Sequence, residues 1–382
     1  MKISLPRWWR ALCEKLPHRF RSHRISFARF SGWVKSNGSP LTILCGATNQ
    51  NRAYLLDLIF AESPAEKSLG RPRRQNIFQR RHDEDIGMII VETKQELFTW
   101  LNDGGWFFIP TWIAGEVALP LPEECRRAST FKSELRQIER EGFELEVTRT
   151  EERFREFYDQ LYVPYATKQF GAAAMVEGYA KKREQCARFD LMLVRRKRQP
   201  TVTVAGFIVV YEPDRPKLWS AGVRAGNHDE VRAGALAAAY HFTLGWLQEK
   251  GFTRASLGKS RAFLHDGVLR FKRKFAQQLV PGHVFGFALK IQALTPAVKS
   301  FLRDNPFIFQ SGEKFHAAIF TDAVPTVDEL VELEKKFFHH GLERIVVYYF
   351  NETPGTTRPS TATRRAEVRP AAELISGRLH LP

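Results

Sequence analysis

The segment between Arg232 and Glu249 contains no Asp, Glu, Lys or Arg, and it is rich in alanine. A helix that is apolar on almost every side has to be buried, so this segment must pack on a sheet. It is shorter than the ~20 apolar residues that span a bilayer. The pattern predicts one long buried helix from about Glu230 to Lys250, which Gly251 ends.

Strand-like and helix-like segments alternate on both sides of this helix. Three successive apolar segments precede it and one short segment follows it: Phe189–Val194, Val202–Tyr211, Leu218–Val223 and Arg254–Leu257. Other candidate helices begin at residues that can cap them, such as Thr150 and Thr326. The predicted fold class is therefore α/β (α+β), a mixed sheet flanked by helices, with additional α/β lobes at both ends.

Changes in composition divide the chain into five parts. We predict a basic, aromatic arm at 1–40, an N-terminal α/β lobe at 41–125, a central domain at 126–280, a C-terminal α/β segment at 281–352 and a disordered tail at 353–382. The Pro-Leu-Pro sequence at 120–122 marks the boundary between the first two lobes. The tail is assigned to disorder because Thr, Pro, Ala and Arg dominate it without periodicity.

Positive charge is concentrated at the N-terminus. The chain has 58 Lys and Arg against 42 Asp and Glu, a net charge of +16, and residues 1–40 hold nine of the basic residues with one acid. Basic residues interleaved with aromatic ones can contact an anionic membrane surface, or bind nucleic-acid phosphates and stack on bases. The third interpretation is an extension without a partner. We expect a cytoplasmic protein, peripheral at the inner face of the membrane if the arm binds lipid.

Several common sites are excluded by pattern. The four cysteines are far apart and show no zinc-ligand spacing, so we expect a reducing compartment and no metal site. No Gly-x-Gly-x-x-Gly dinucleotide motif occurs. Gly258-Lys259-Ser260 resembles the end of a phosphate-binding P-loop, but Thr253 stands where that motif needs its first glycine.

Motifs at both ends of the block 129–279 point to a known superfamily. The segment 131–142, a basic helix that ends at Gly142, leads into the charged, alternating strand 143–147. The closing run joins Leu257-Gly258 through Asp266-Gly267 to the basic helix 270–275. The block resembles the CelD/BioF-type (FemAB-like) branch of the GNAT acyltransferase superfamily, although Ala276 stands where the closing motif has glycine.

The resemblance implies an acyltransferase whose fourth and fifth strands part so that an extended acyl donor lies between them. Those strands would be 218–224 and 254–257. Acyl-CoA (acetyl-CoA) would be the cosubstrate, with no permanently bound cofactor. The donor's phosphates would lie at the start of the long helix, where free N–H groups favour an anion. The implied cofactor-binding residues are Val223, Arg224, Gly226, Asn227, Arg232 and Gly234. The superfamily's pattern is not intact there, and Asp229 and Glu230 could instead cap the helix.

The candidate catalytic residues are Glu212, His265, Asp266 and Lys272. A loop histidine can accept a proton at neutral pH, but Asp266 could equally be a helix N-cap and Lys272 a solvated residue of a basic helix. The substrate-binding candidates are Tyr165, Phe170 and Gly258. The expected acceptor is an amine of a sugar, lipid precursor or envelope building block. Two alternatives stay open: a FemAB-like aminoacyl-tRNA-dependent transferase, with tRNA as a partner, and a non-catalytic binding module.

Overall fold

The computed structural model describes residues 25–70, 85–101, 105–171, 174, 176–186, 188–275, 277–281, 284–351 and 365–375. The strands are β1 (Phe27–Trp33), β2 (Pro40–Gly46), β3 (Ala65–Gly70), β4 (Met88–Lys94), β5 (Trp106–Pro110), β6 (Ile113–Ala118), β7 (Phe143–Thr148), β8 (Phe189–Arg196), β9 (Gln199–Tyr211), β10 (Pro216–Val223), β11 (Arg254–Ser260), β12 (Gln278–Pro281), β13 (Phe285–Ile291), β14 (Phe307–Ser311), β15 (Lys314–Ala323), β16 (Leu342–Asn351) and β17 (Ala366–Pro370).

The α-helices are α1 (Asn49–Ile59), α2 (Gln95–Leu101), α3 (Glu123–Arg127), α4 (Ser129–Glu141), α5 (Glu151–Glu156), α6 (Val163–Phe170), α7 (Tyr179–Gln185), α8 (His228–Arg232), α9 (Ala235–Glu249), α10 (Gly267–Arg273), α11 (Pro296–Asp304) and α12 (Val327–Phe337). A π turn, Phe157–Tyr162, joins α5 to α6. Two 3₁₀ helices, Arg224–Gly226 and Ala371–Leu374, complete the described elements.

Both ends of the chain build one ten-stranded sheet. Its order is β17-β16-β15-β14-β5-β13-β4-β2-β1-β3. Strand β13, from the second half of the chain, lies between β4 and β5 and is antiparallel to both, with Ala288 opposite Val91 on one side and Phe108 on the other. Segments far apart in sequence are therefore adjacent here, and β13 lies inside the sheet.

The middle of the chain builds a seven-stranded sheet in the order β12-β6-β11-β10-β9-β8-β7. Strands β7 to β10 form an antiparallel meander, and β11 follows β10 in parallel. Strand β6 lies between β11 and β12, although its residues fall within the lobe that we predicted at 41–125. The predicted class, mixed α/β with sheets flanked by helices, is confirmed.

Two helical layers cover the seven-stranded sheet. On one face α4 and α9 pack on a core that includes Met192, Phe207 and Leu244. On the other face α5 and the π turn pack on Leu191 and Leu193. Strands β8 and β9 alternate between the two cores, as side chains on successive strand positions must.

The uncharged segment is buried as predicted, but it is not one helix. Gly234, with φ of +92°, separates α8 from α9. A left-handed residue cannot continue a right-handed helix, so the long helix predicted from Glu230 to Lys250 is wrong at its start. Helix α9 keeps the predicted packing, and the ring of Tyr240 meets Phe207 edge-on at 4.5 Å.

The chain termini differ from expectation where they are described. Residues 1–24 lie outside the described part, and Phe27 and Phe30, which we assigned to the arm, are buried in β1. Within the tail predicted to be disordered, β17 pairs in parallel with β16. Val368 packs on the large core and Leu374 is buried in it, which explains why this stretch is ordered. In the described residues, no helix is both long and apolar enough to cross a membrane.

The two sheets meet where β11 ends. Ala262, Phe263 and Leu264 follow β11 directly and are buried in the core of the ten-stranded sheet. Phe263 forms a bridge to Phe307 of β14, and the Leu264 N–H donates to the Pro306 carbonyl at 2.8 Å. The C-terminal end of β11 is therefore held against the other half of the molecule.

Candidate active site

Strands β10 and β11 are neighbours that pair at a single position, Lys217 opposite Ser256. The backbones are still close one step later, because a Cβ on Gly258 would lie 2.9 Å from the Leu218 oxygen. Beyond that point β10 continues along β9, with Val223 opposite Ala205, and β11 continues along β6, with Lys259 opposite Ala114. After Lys217 and Ser256, β10 and β11 do not pair with each other. This leaves an opening in the sheet between the C-terminal halves of the two strands.

A bulge in β10 lies beside this opening. Ser220 has a φ of +61°, and the register with β9 shifts between Trp219 and Ala221. Residues other than glycine rarely adopt a positive φ. Bulges often lie next to functional sites, where they change the direction of a side chain. The π turn lies directly against the bulge, because a Cβ on Gly222 would be 2.8 Å from the Tyr162 nitrogen.

A buried lysine contacts the bulge. Lys182, on α7, is 2% exposed; its ammonium donates to the Ser220 hydroxyl at 2.5 Å and lies 3.5 Å from the ring centre of Trp219. Burial lowers the pKa of Lys182 to about 8. Sequence analysis did not select Lys182, because it stands in the charged run Lys-Lys-Arg-Glu, which is typical of a solvated helix.

A second buried lysine contacts the other strand. Lys272, on α10, donates to the Lys259 carbonyl at 2.8 Å and to the Ser260 hydroxyl at 3.2 Å. Its side chain is buried, which lowers its pKa to about 7. The alternative that Lys272 lies on a solvated face is therefore wrong. The contact holds β11 at the residues where it has left β10.

The other predicted catalytic residues have structural partners. Glu212 follows β9 and accepts a hydrogen bond from Lys217 at 2.8 Å, so it lies at the closed end of the opening. Asp266 caps α10 by accepting from the Leu269 N–H at 2.8 Å, and burial raises its pKa. His265 is exposed, and its Nδ1 lies 2.9 Å from the Asp304 carbonyl of α11. This contact places His265 beside the end of α11.

The predicted phosphate-binding loop lies at the end of β10, but its cations have internal partners. Arg224 donates to the Thr203 carbonyl and to Glu156, both at 2.5 Å, and Arg232 pairs with Asp229. Asn227 caps α8, and Val223 is buried at the end of β10. Gly226 and Gly234 both have positive φ. At Gly226 a Cβ would meet the Pro164 oxygen at 2.9 Å, and at Gly234 it would meet the Gln137 side chain at 3.3 Å. The glycines allow close packing there.

The predicted substrate-binding residues are placed as follows. Gly258 lies on β11 where the two strands begin to part. Tyr165, on α6, is half-buried and packs against the α4–α9 core, and burial raises its pKa. Phe170 ends α6, and its side chain lies outside the described residues.

A polar chain that sequence analysis missed joins the two sheets near the end of β11. The buried Glu92 carboxylate accepts from the Thr48 N–H at 2.8 Å and from the Asn51 amide at 2.9 Å. Asn51 in turn accepts from Arg261 at 3.0 Å. The Arg261 guanidinium carbon lies 4.1 Å from the ring centre of Tyr54 and 4.0 Å from that of Trp112. Both distances are within the range of cation–π contacts. No local pattern marks this chain, because its residues are far apart in sequence.

Comparisons with known proteins give low similarity. No family profile matches the sequence, and no curated protein matches it. Among solved structures, the chain is similar to L-PGS from Bacillus licheniformis (TM-score 0.35, 10% identity, 73% of this chain and 87% of that chain). It is similar to FemX (TM-score 0.35, 10% identity, 69% and 83%). A GCN5-related N-acetyltransferase from Sphaerobacter thermophilus gives a TM-score of 0.33 at 11% identity over 70% and 76%. At these TM-scores the likeness assigns neither a family nor an activity.

Proposed function

We propose that the protein is a GNAT-type N-acyltransferase that holds an extended acyl thioester between β10 and β11. The observation that supports this is the single paired position, Lys217 opposite Ser256, with both strands still bound to their outer neighbours. Strand edges that face each other without pairing offer backbone N–H and C=O groups to an extended ligand. Acyl-CoA is the donor that fits this shape, and an amine of a sugar, lipid precursor or envelope building block is the acceptor.

The reaction needs a neutral amine beside the thioester. The amine nitrogen attacks the acyl carbonyl, the carbon–sulfur bond breaks, the thiol leaves, and the amine loses a proton. We propose the backbone at the Ser220 bulge as the group that holds the acyl carbonyl, since preorganised donors stabilise the developing oxyanion. Lys272 is the candidate for proton transfer, because burial brings its pKa to about 7, close to the working pH.

Disturbing the point at which β10 and β11 part should abolish donor binding. Gly258→Ala places a methyl group 2.9 Å from the Leu218 oxygen and on a backbone with φ of +72°. Gly251→Ala is the matched control, because Gly251 has φ of +82° and free space around it. Each change should cost about 1–2 kcal/mol from the left-handed backbone. Acetyl-CoA and longer acyl-CoAs should raise the Tm of the wild type and of Gly251→Ala, but not of Gly258→Ala. If no acyl-CoA stabilises the wild type and no labelled acyl group is transferred, CoA-dependent catalysis is wrong.

A second candidate is transfer from aminoacyl-tRNA. It is favoured by the internal pairing of Arg224 with Glu156 and of Arg232 with Asp229, which gives both predicted phosphate-binding arginines a carboxylate partner. In that case a labelled tRNA should shift in a gel at low salt and lose its shift as salt rises. An unshifted tRNA at low salt removes this candidate.

A further inference from the structure

Lys182, the α7 lysine that contacts the bulge, is a buried charge without an ion-pair partner among the described residues. Lys182 is almost fully buried, and among the described residues no carboxylate lies within ion-pair distance of its ammonium. Its neighbour Lys181 is exposed and pairs with Glu177 at 3.1 Å. Burying an ammonium costs several kcal/mol unless an anion accompanies it. A hydroxyl and an aromatic ring recover only part of that cost, so an apolar residue would stabilise this position better.

Two further lysines lie near Trp219, the ring that Lys182 contacts. The Lys217 ammonium lies 6.0 Å from the ring centre of Trp219, on which Lys182 also lies. Lys259 follows on the opposite strand, and its pKa is lowered by burial and by Lys217. Glu212 is the carboxylate partner of Lys217. Trp219 and Ser220 are both partly exposed, so solvent reaches the two residues that the Lys182 ammonium contacts.

From this cluster we infer an oxyanion site: Lys182 and Lys217 bind a phosphate or carboxylate group beside the ring of Trp219. On the function proposed above, this group belongs to the acceptor, so the acceptor is an amine that also carries a negative charge. The site lies beside the bulge and next to the closed end of the opening, whereas the predicted phosphate loop lies beyond the other end of β10. Surrounding lysines would also favour the neutral, reactive form of the acceptor's amine.

The test compares Lys182→Met with Lys181→Met, a change at the exposed neighbouring lysine of the same helix. Without ligand, Lys182→Met should keep or raise the Tm, because a buried charge is replaced by an apolar chain of similar length. Inorganic pyrophosphate and phosphate at low ionic strength, and malonate in parallel, are the probes. Calorimetry should show binding at least tenfold weaker in Lys182→Met than in the wild type, with Lys181→Met unchanged. Lys217→Met should weaken binding as well, and Lys182→Arg should restore part of it.

Comparing the affinities for phosphate and for malonate shows which oxyanion the site prefers. The inference is overturned if none of these anions binds the wild type, or if Lys182→Met binds them as tightly as the wild type. It is also overturned if acetyl-CoA displaces pyrophosphate competitively, because the lysines would then belong to the donor. Failure of the proposed function has a separate signature: acetyl-CoA stabilises no variant, while pyrophosphate binding still depends on Lys182.

Discussion

Two buried lysines distinguish this molecule at the scale of single residues. Lys182 contacts β10 at Ser220 and Lys272 contacts β11 at Lys259 and Ser260, on the two strands that part. Neither has a carboxylate within ion-pair distance among the described residues. The closing motif pointed to Lys272, whereas no sequence pattern pointed to Lys182. A basic run cannot reveal which lysine turns inward, since that depends on packing with distant strands.

Burial of Lys272 should make stability depend on pH. Burial lowers its pKa in the folded state to about 7, from the usual value of 10.5 for a lysine in water. Between these two values the unfolded chain binds more protons, so the free energy of unfolding rises as pH increases from 7 toward 10. Urea titrations at pH 7 and pH 9 should show a gain of about 1–2 kcal/mol from this group. Lys272→Met should lose that part of the increase. If the free energy of unfolding rises with pH as steeply in Lys272→Met as in the wild type, Lys272 is charged in the folded protein.

At the scale of elements, local patterns predicted many helices and strands but not their partners. The helix at α12 was marked by a capping box between Thr326 and Glu329, which the structure contains. Strand β6 was missed, because Ile-Ala-Gly-Glu-Val-Ala lies close to a Pro-rich join and carries a central glycine. The alternation of buried and half-buried residues in β6 arises from its position between β11 and β12. A local sequence pattern does not predict pairing between strands this far apart in the sequence.

The start of α1 depends on a carboxylate from β4. Thr48, the N-cap residue, makes no capping bond with its own side chain, and Glu92 instead accepts from its N–H and hydroxyl, both at 2.8 Å. Glu92→Gln removes a charge from the positive end of the helix and should cost about 1–2 kcal/mol. Glu96→Gln, at an exposed position in the first turn of α2, should change stability by less than about 0.5 kcal/mol. Equal midpoints in urea for both variants would contradict this role of Glu92.

At the scale of the whole molecule, the two sheets are not consecutive along the chain. The ten-stranded sheet needs residues from before and after the seven-stranded one, because β13 separates β4 from β5. The sequence predicted α/β segments at both ends, and only the FemAB-like alternative joined residues 41–125 and 283–350 in one lobe. The resemblance implied that the fourth and fifth strands part, and β10 and β11 pair at a single position.

Truncation tests this arrangement. A chain ending at residue 280 loses β13 to β17, which exposes the edges of β4 and β5 and a large part of the apolar core. We expect it to aggregate or to lack a cooperative thermal transition by circular dichroism. A truncated chain that stays monomeric and unfolds with the Tm of the full protein would show that the central sheet is independent.

The proposed function depends most on the opening between β10 and β11, and a crystal structure of the protein with acetyl-CoA tests it directly. The expected result is an extended pantetheine between the two strands, with its thioester next to Ser220 and hydrogen bonds to the backbone beyond Lys217 and Ser256. Strands that pair along their full length, or acetyl-CoA bound elsewhere on the molecule, would contradict the proposed function.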